Sequence, residues 1–357
     1  MKKSYLMMAA AATMLAACSQ SDVLNEVQVQ EEAQAIGFST YASKATRAEN
    51  SYETVTDGLK AHHENFIVWG YKNTTPAYVF NGVNVYYQGE NLTYSPTKYW
   101  DKAADFYEFY AAAPNNGKWI LVPNTEAQND DYFKYVNFGL QDETHASTEY
   151  QESFKTLTKN TDLMIASPKQ IKQYQIQGAE KVQLEFNHIL SRLNITVRKD
   201  ASLAGEDIEL KSIVVSGLRN TGSFSEKTPA VASGTTTRWD VFEYKYNLTG
   251  NALNPVTTDP LFVLQSLVIP QIADYQNIDR DGSDEETAPY IYLEYTIGGE
   301  PFNATYNLSN AFKSAEGIAF NEGWQNTLNI TIDADKIEFE AVVFNWEHDV
   351  TKDWVIE

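Results

Sequence analysis

The sequence predicts an all-β protein built as two antiparallel β-sandwiches in tandem. Short runs alternate apolar and polar residues with a period of two, and turn-forming residues separate them. Aromatic residues make 13% of the chain, which favours strands, and hardly any stretch carries a helical period. The 357 residues, less a leader, suffice for two domains of ordinary size.

The chain opens MKKSYLMMAAAATMLAACSQSD. Lys2 and Lys3 give a positive start, and Leu6–Ala17 is apolar or small apart from Thr13. That run is too short to span a bilayer, which takes roughly 20 apolar residues, and it fits a signal peptide over residues 1–17. It ends in Leu15-Ala16-Ala17-Cys18, the spacing of a bacterial lipoprotein signal: small residues at the cut, then a thiol to carry lipid. Cys18 is the only cysteine, so no disulfide framework or cysteine metal cluster is available to the chain. The expected product is exported and held to the outer membrane by lipid on Cys18.

Residues 19–34 are polar and read as a tether. IGFSTYA then alternates, with Ile36, Phe38 and Thr40 on one face. NFIVWGY (65–71) is an apolar strand, and YVFNGVNVYY (78–87) reads as a hairpin turning at Asn81-Gly82. DFYEFYAAAP (105–114) is aromatic on both faces, as a strand buried on both sides would be. DYFKYVNF (131–138) follows, and DLMIASP (162–168) is a strand that Pro168 closes. KQIKQYQIQGAE (169–180) reads as a linker, placing the domains at 48–180 and 181–357. In VQLEFNHILSRLNITVRK the apolar phase slips near Ile189-Leu190, which suggests a bulge. IELKSIVVSGL, WDVFEYKYNL, LFVLQSLVIP, the YIYLEYTIGGEPFNATYNL hairpin around Gly298-Gly299, WQNTLNITID and IEFEAVVFNW complete the strands.

The net charge of -21 argues against nucleic acid or anionic lipid as partners, since both need basic patches. No P-loop, dinucleotide fingerprint or nucleophile elbow appears. His62-His63-Glu64 lacks the spacing of a zinc helix and reads as a solvated strand entry. His188 continues an apolar face and reads as a hydrogen-bonded, partly buried side chain. Carboxylates are plentiful, and nothing marks one pair out as a glycosidase's. DRDGSDEE (279–286) has no EF-hand spacing: Asp284 and Tyr290 stand where Gly and Glu belong. It reads as an acidic hairpin tip. No metal, cofactor or catalytic residue is expected.

Several segments, in this order and spacing, resemble the fimbrillin-like pilins and accessory proteins of Bacteroidales type V fimbriae. They are LAAC, IGFSTYASKATRAE, YWDKAADFYEFYAAAP, DLMIASP, VQLEFNHILSRLNITV, and GWQNTLNITID followed by IEFEAVVFNW. The resemblance implies two transthyretin-like sandwiches, export as a lipoprotein, and cleavage by a surface arginine protease between Arg47 and Ala48. Segment 18–47 then holds the lipid tether, the first strand and the propeptide. Removal of the strand carrying Ile36, Phe38 and Thr40 would leave a groove for a donor strand from another subunit. The C-terminal region is the expected donor, either 336–346 with Val343 and Trp346 or 348–357 with Trp354 and Ile356. The partners implied are other pilin subunits in a cell-surface fimbrium. The rival readings are a tip adhesin or anchored lipoprotein binding a host or glycan ligand, and a glycan-acting enzyme.

Overall fold

The computed structural model describes residues 33–42, 59–60, 63–73, 77–122, 132–139, 161–178, 180–219, 221–226, 239–241, 245–251, 255–273, 289–308, 318–334 and 337–345. Cys18, Arg47, Ala48, His62, Trp346, Trp354, Ile356 and the 279–286 loop lie outside them. In chain order the strands are β1 Phe38–Ala42, β2 Asn65–Lys72, β3 Ala77–Gln88, β4 Asn91–Thr93, β5 Phe106–Ala113, β6 Trp119–Val122, β7 Tyr132–Gly139, β8 Met164–Lys172, β9 Val182–His188, β10 Ser191–Lys199 and β11 Ile208–Arg219. They continue with β12 Thr221–Ser225, β13 Trp239–Val241, β14 Lys245–Asn251, β15 Leu261–Val268, β16 Gln271–Ala273, β17 Tyr290–Ile297, β18 Glu300–Asn307, β19 Ile318–Phe320, β20 Trp324–Ile332 and β21 Ile337–Asn345. A short helix, α1, covers Gln173–Gln177. The all-β class stands.

The first sheet has seven strands in the order β1-β9-β8-β5-β2-β3-β4. Its central strand β5 is buried on both faces, as its aromatic composition predicts. Tyr107, Phe109, Ala111 and Ala113 enter one hydrophobic cluster with Phe66, Phe80 and Phe186. Tyr110 and Ala112 enter the other cluster with Trp69, Trp119 and Phe133. The four-stranded sheet β13-β12-β7-β6 contributes to that second cluster: Trp69 and Tyr110 meet Phe133 with centroids 5.7 and 6.2 Å apart. The C-terminal half forms the sheets β15-β10-β20-β21 and β14-β11-β17-β18. Their inward rows, Leu193, Ile195, Val197, Ile213, Val215, Leu293 and Leu328, extend the same cluster.

Several sequence expectations change. Asn81-Gly82 does not turn the chain; β3 runs through it as one strand. Its register against β2 moves from Val68↔Val83 to Gly70↔Phe80, and Gly82 adopts φ +65°. The glycine thus serves a bulge rather than a hairpin, two sites that demand the same backbone. Pro168 does not close β8, which continues to Lys172. The register jumps there from Ala111↔Ala166 to Phe109↔Lys169, so the proline sits in a bulge where no ladder N–H is missed. The expected linker 169–180 is strand and then α1, anchored by buried Ile176. The slip at Ile189-Leu190 is no bulge; the chain leaves one sheet as β9 and enters another as β10. Residue 180 falls between β8 and β9, which are paired neighbours, and β12 joins β7 from beyond it, so the sheets do not divide the chain there. Among the described strands two pairings are parallel, β1 with β9 and β10 with β20; alternation carries no strand direction, and long connections allow parallel neighbours. The Gly298-Gly299 hairpin forms as expected, with φ of 56° and 90°.

Candidate strand-exchange site

The segment around β1 closes the first sheet on itself. From β1 to β3 there are five strand steps, roughly 24 Å in a flat sheet. Yet the Phe38 and Phe80 rings lie 5.3 Å apart, so the sheet curls until its edges meet across β1. On one side β1 runs parallel to β9, from Phe38↔Val182 to Ala42↔Phe186. On the other side lies the segment after β4: Ile36 N–H donates to Lys98 O at 2.8 Å, and Trp100 N–H to Gln34 O at 2.9 Å. Tyr94 Oη donates to Ile36 O at 2.6 Å. Both backbone edges of the segment are thereby engaged.

Its inward side chains are the three that alternation places together: Ile36, Phe38 and Thr40 are 1%, 4% and 0% exposed. Phe38 sits in an aromatic box, edge-on to Phe80, Tyr94 and Phe109. Phe109 is in turn held by Trp100 and stacked on Tyr107. Thr40 Oγ1 and Tyr87 Oη share a hydrogen bond of 2.7 Å, and burial pushes the Tyr87 phenol up from its ordinary pKa. Tyr87, Tyr94 and the 98–100 segment lack any local sequence signal that would place them here. Tyr87 and Tyr94 lie 47 and 58 residues from their partners Thr40 and Ile36, and only closure of the sheet brings them in. A turn held by Asp101 supports that side. Its carboxylate meets Lys72 Nζ at 2.5 Å and accepts from Ala103 N–H, and the Lys72 contact holds the Asp101 pKa below the usual carboxylate range.

The C-terminal candidate 336–346 is represented by β21, which pairs antiparallel with β20 at the end of its sheet. Val343 stands opposite Asn326. Among histidines, His63 is 8% exposed, so it is no solvated strand entry. His188 is buried, as expected, and its Nδ1 lies 2.8 Å from Asp162 Oδ2. Burial pulls the nearby Arg192 pKa down to about 10, with Asp162 opposing. These groups stand at the crossover from β9 to β10, where a buried polar cluster is a structural fixture. Among the described residues no group of three His, Cys, Asp or Glu could hold a metal, and no helix is long and apolar enough to cross a membrane.

Fold and site define a class: an all-β protein whose first sheet is sealed by an edge strand from near the N-terminus. A model of the Fimbrillin-like family matches residues 46–346, and the chain belongs to that family. A fimbrial protein from Bacteroides vulgatus superposes with a TM-score of 0.52 at 16% identity, over 88% of this chain and 99% of that one. A provisionally named cell-adhesion protein from Bacteroides ovatus gives 0.50 at 12% identity, over 88% and 98%. At such identities the likeness is one of fold. The search of curated proteins returned no match.

Proposed function

We propose that the chain is a non-catalytic structural subunit of a cell-surface fimbria. It is exported as an outer-membrane lipoprotein on Cys18 and cleaved by hydrolysis of the Arg47–Ala48 peptide bond. It then polymerises by exchanging β1 for a C-terminal strand of another subunit. Family membership supports the fimbrial setting. The observation that carries the exchange is the sealing strand: one short segment, buried through Ile36, Phe38 and Thr40, closes a sheet. Burying an Ile and a Phe yields about 3–6 kcal/mol, and net hydrogen bonds about 1 kcal/mol each. A donor with similar contacts gains a similar amount, so contact energy alone does not decide the competition. The tether decides it, since a linked strand acts at an effective concentration near millimolar. Cutting at Arg47 removes that advantage and lets the strand leave.

The test is electron microscopy of purified full chain, intact and nicked after Arg47. Filaments should grow only from nicked protein, and Arg47→Ala should block them in cells. Filaments from intact protein would overturn the mechanism. The Bacteroides ovatus protein is described as a cell-adhesion protein; a second reading makes this chain a tip adhesin or anchored lipoprotein binding a host or glycan ligand. A nicked subunit that caps growing filaments without extending them would select it.

A further inference from the structure

We propose that the outer edge of β18 docks the same edge of a second copy, antiparallel, about a two-fold axis through Ala304. The contact is side by side: it uses neither β1 nor its slot, and it needs no cleavage.

β18 pairs with β17 through its whole length in unbroken register, and it ends its sheet. The hydrogen-bond parity of that ladder is fixed at both ends. At one, Gly298 and Gly299 make a two-residue turn with φ of 56° and 90°, and its closing pair Ile297↔Glu300 is hydrogen-bonded. At the other, Leu308 N–H donates to Pro289 O at 2.8 Å. Backbone groups of the even-numbered residues therefore face β17, and those of the odd-numbered residues turn away from it. Pro301 obeys the rule, since an edge proline is tolerated where its missing N–H would point outward. Asn303 and Thr305, both exposed, thus hold their N–H and C=O groups toward an edge that no strand covers among the described residues. Soluble proteins guard such edges with lysine, a bulge or a proline. From Phe302 to Asn307 this one has no charge, no proline and no bulge.

The same strand is the partner that fits. About Ala304, Asn303 of each copy meets Thr305 of the other, and each pair exchanges both backbone bonds. Phe302 is 46% exposed and stacked on Tyr295 at 5.7 Å. It falls opposite the partner's Tyr306 at the closer, non-hydrogen-bonded spacing, an aromatic cross-strand pair made twice. Ala304 meets its own copy on the axis, where a small side chain lets the strands approach. Charge also points to a second copy. Chains of net charge -21 repel, so copies meet where facing charges are absent, and a cationic partner finds nothing on this strip to hold it. One strand edge buries less than the roughly 1,200–2,000 Å² of a stable complex, so the contact is weak between single subunits. Repeated along a fimbria, if the proposed function holds, it adds up by avidity.

The experiment uses the full, uncut chain with Cys18→Ser, which removes the only cysteine. Ser202 is exposed and far from β18 in sequence, so Ser202→Cys reports random collision. Ala304→Cys should oxidise to a disulfide-linked dimer about 10-fold faster or more, because Cα atoms at a non-hydrogen-bonded site stand about 4.5 Å apart, within disulfide reach. Salt should speed the reaction further by screening the repulsion between copies. Adding Thr305→Pro should return the rate to the control's, since proline deletes an outward N–H, as Pro301 already does without breaking the ladder to β17. A measurement on the chain without cysteine or proline stands beside it: amide exchange at Asn303 and Thr305 should slow as protein concentration rises. Dimers from mixed Ala304→Cys and Tyr306→Cys chains, with neither linking alone, would move the axis to Thr305 and overturn the register. An Ala304→Cys rate no greater than the control's, or exchange at Asn303 and Thr305 indifferent to concentration, would overturn the docking. Dimers that form only after a cut at Arg47 would belong to strand exchange and would equally sink the edge contact, while leaving the proposed function standing.

Discussion

Phe38→Ala is the most informative single change in the sealing strand. Phe38 is 4% exposed, and three rings meet it edge-on at 5.3, 5.7 and 5.8 Å. Truncating a buried Phe to Ala costs about 3–5 kcal/mol through lost transfer energy and the cavity left behind. Edge-to-face pairs add about 0.5–1.5 kcal/mol beyond area, but the terms overlap and are not summed. The box resists collapse, because Phe109 is already pinned by Trp100 and Tyr107. At about 1.4 kcal/mol per decade, the cut fragment 1–47 should bind the body about 100- to 4,000-fold more weakly. The assay labels that fragment, cuts the chain, dilutes into excess unlabelled fragment and follows release. Ser39→Ala is the control, since Ser39 faces away from the box. A change under tenfold for Phe38→Ala would refute the claim that this ring seals the slot.

Thr40→Val or Tyr87→Phe alone should cost about 1–3 kcal/mol by leaving one buried hydroxyl unmatched, and the double variant less than their sum; additive costs from denaturant melts would show that the 2.7 Å bond does not couple them. Gly70→Ala should destabilise by about 1–3 kcal/mol, because its Cβ would lie 2.7 Å from Phe109 Cδ1 and 3.3 Å from Phe80 Cδ2, two rings of the same box; an unchanged melting temperature would count against a rigid box. Asp101 has its folded pKa lowered from 3.8 by Lys72, so its contribution is full above that value and fades as pH falls through the lower folded pKa. Asp101 and Lys72 side chains are 42% and 34% exposed, so solvent screening limits the contribution to at most about 1 kcal/mol. Asp101→Asn should therefore differ from the parent at pH 7, and the gap should narrow in urea melts as pH falls below the usual carboxylate range; a gap that does not narrow in acid would assign its role to something other than charge.

The sealing residues were legible because alternation is a backbone property: whichever partner a strand finds, Ile36, Phe38 and Thr40 share a face. The double burial of β5 was legible for the same reason, from aromatics on both faces. What periodicity could not supply was the identity of partners. Asn81-Gly82 carries the signal of a hairpin, but the same positive φ serves a bulge, and only pairing with β2 separates the two. Ile189-Leu190 breaks the phase whether a strand bulges or the chain changes sheet. Tyr87 reads as an ordinary strand aromatic, and nothing in the sequence singles out Tyr94, until curling of the sheet brings them to the segment around β1.

That curling ties the architecture to the proposed activity. In an open sheet an edge strand adds one ladder, and its loss exposes one edge. Here the segment around β1 joins two edges, through β9 on one side and residues 98–100 on the other. Its removal would uncover two rows of backbone groups and the floor of an aromatic cluster at once. A slot with unpaired groups on both walls and an apolar floor cannot be satisfied by water alone, so the vacated state strongly favours any strand of matching pattern. It also dictates when that state may arise. A subunit that lost β1 early would expose the slot to every β-prone segment nearby. In the proposed mechanism, keeping the strand covalently linked until the chain reaches the surface, and releasing it by hydrolysis of the Arg47–Ala48 bond, would confine exchange to the place where other subunits await.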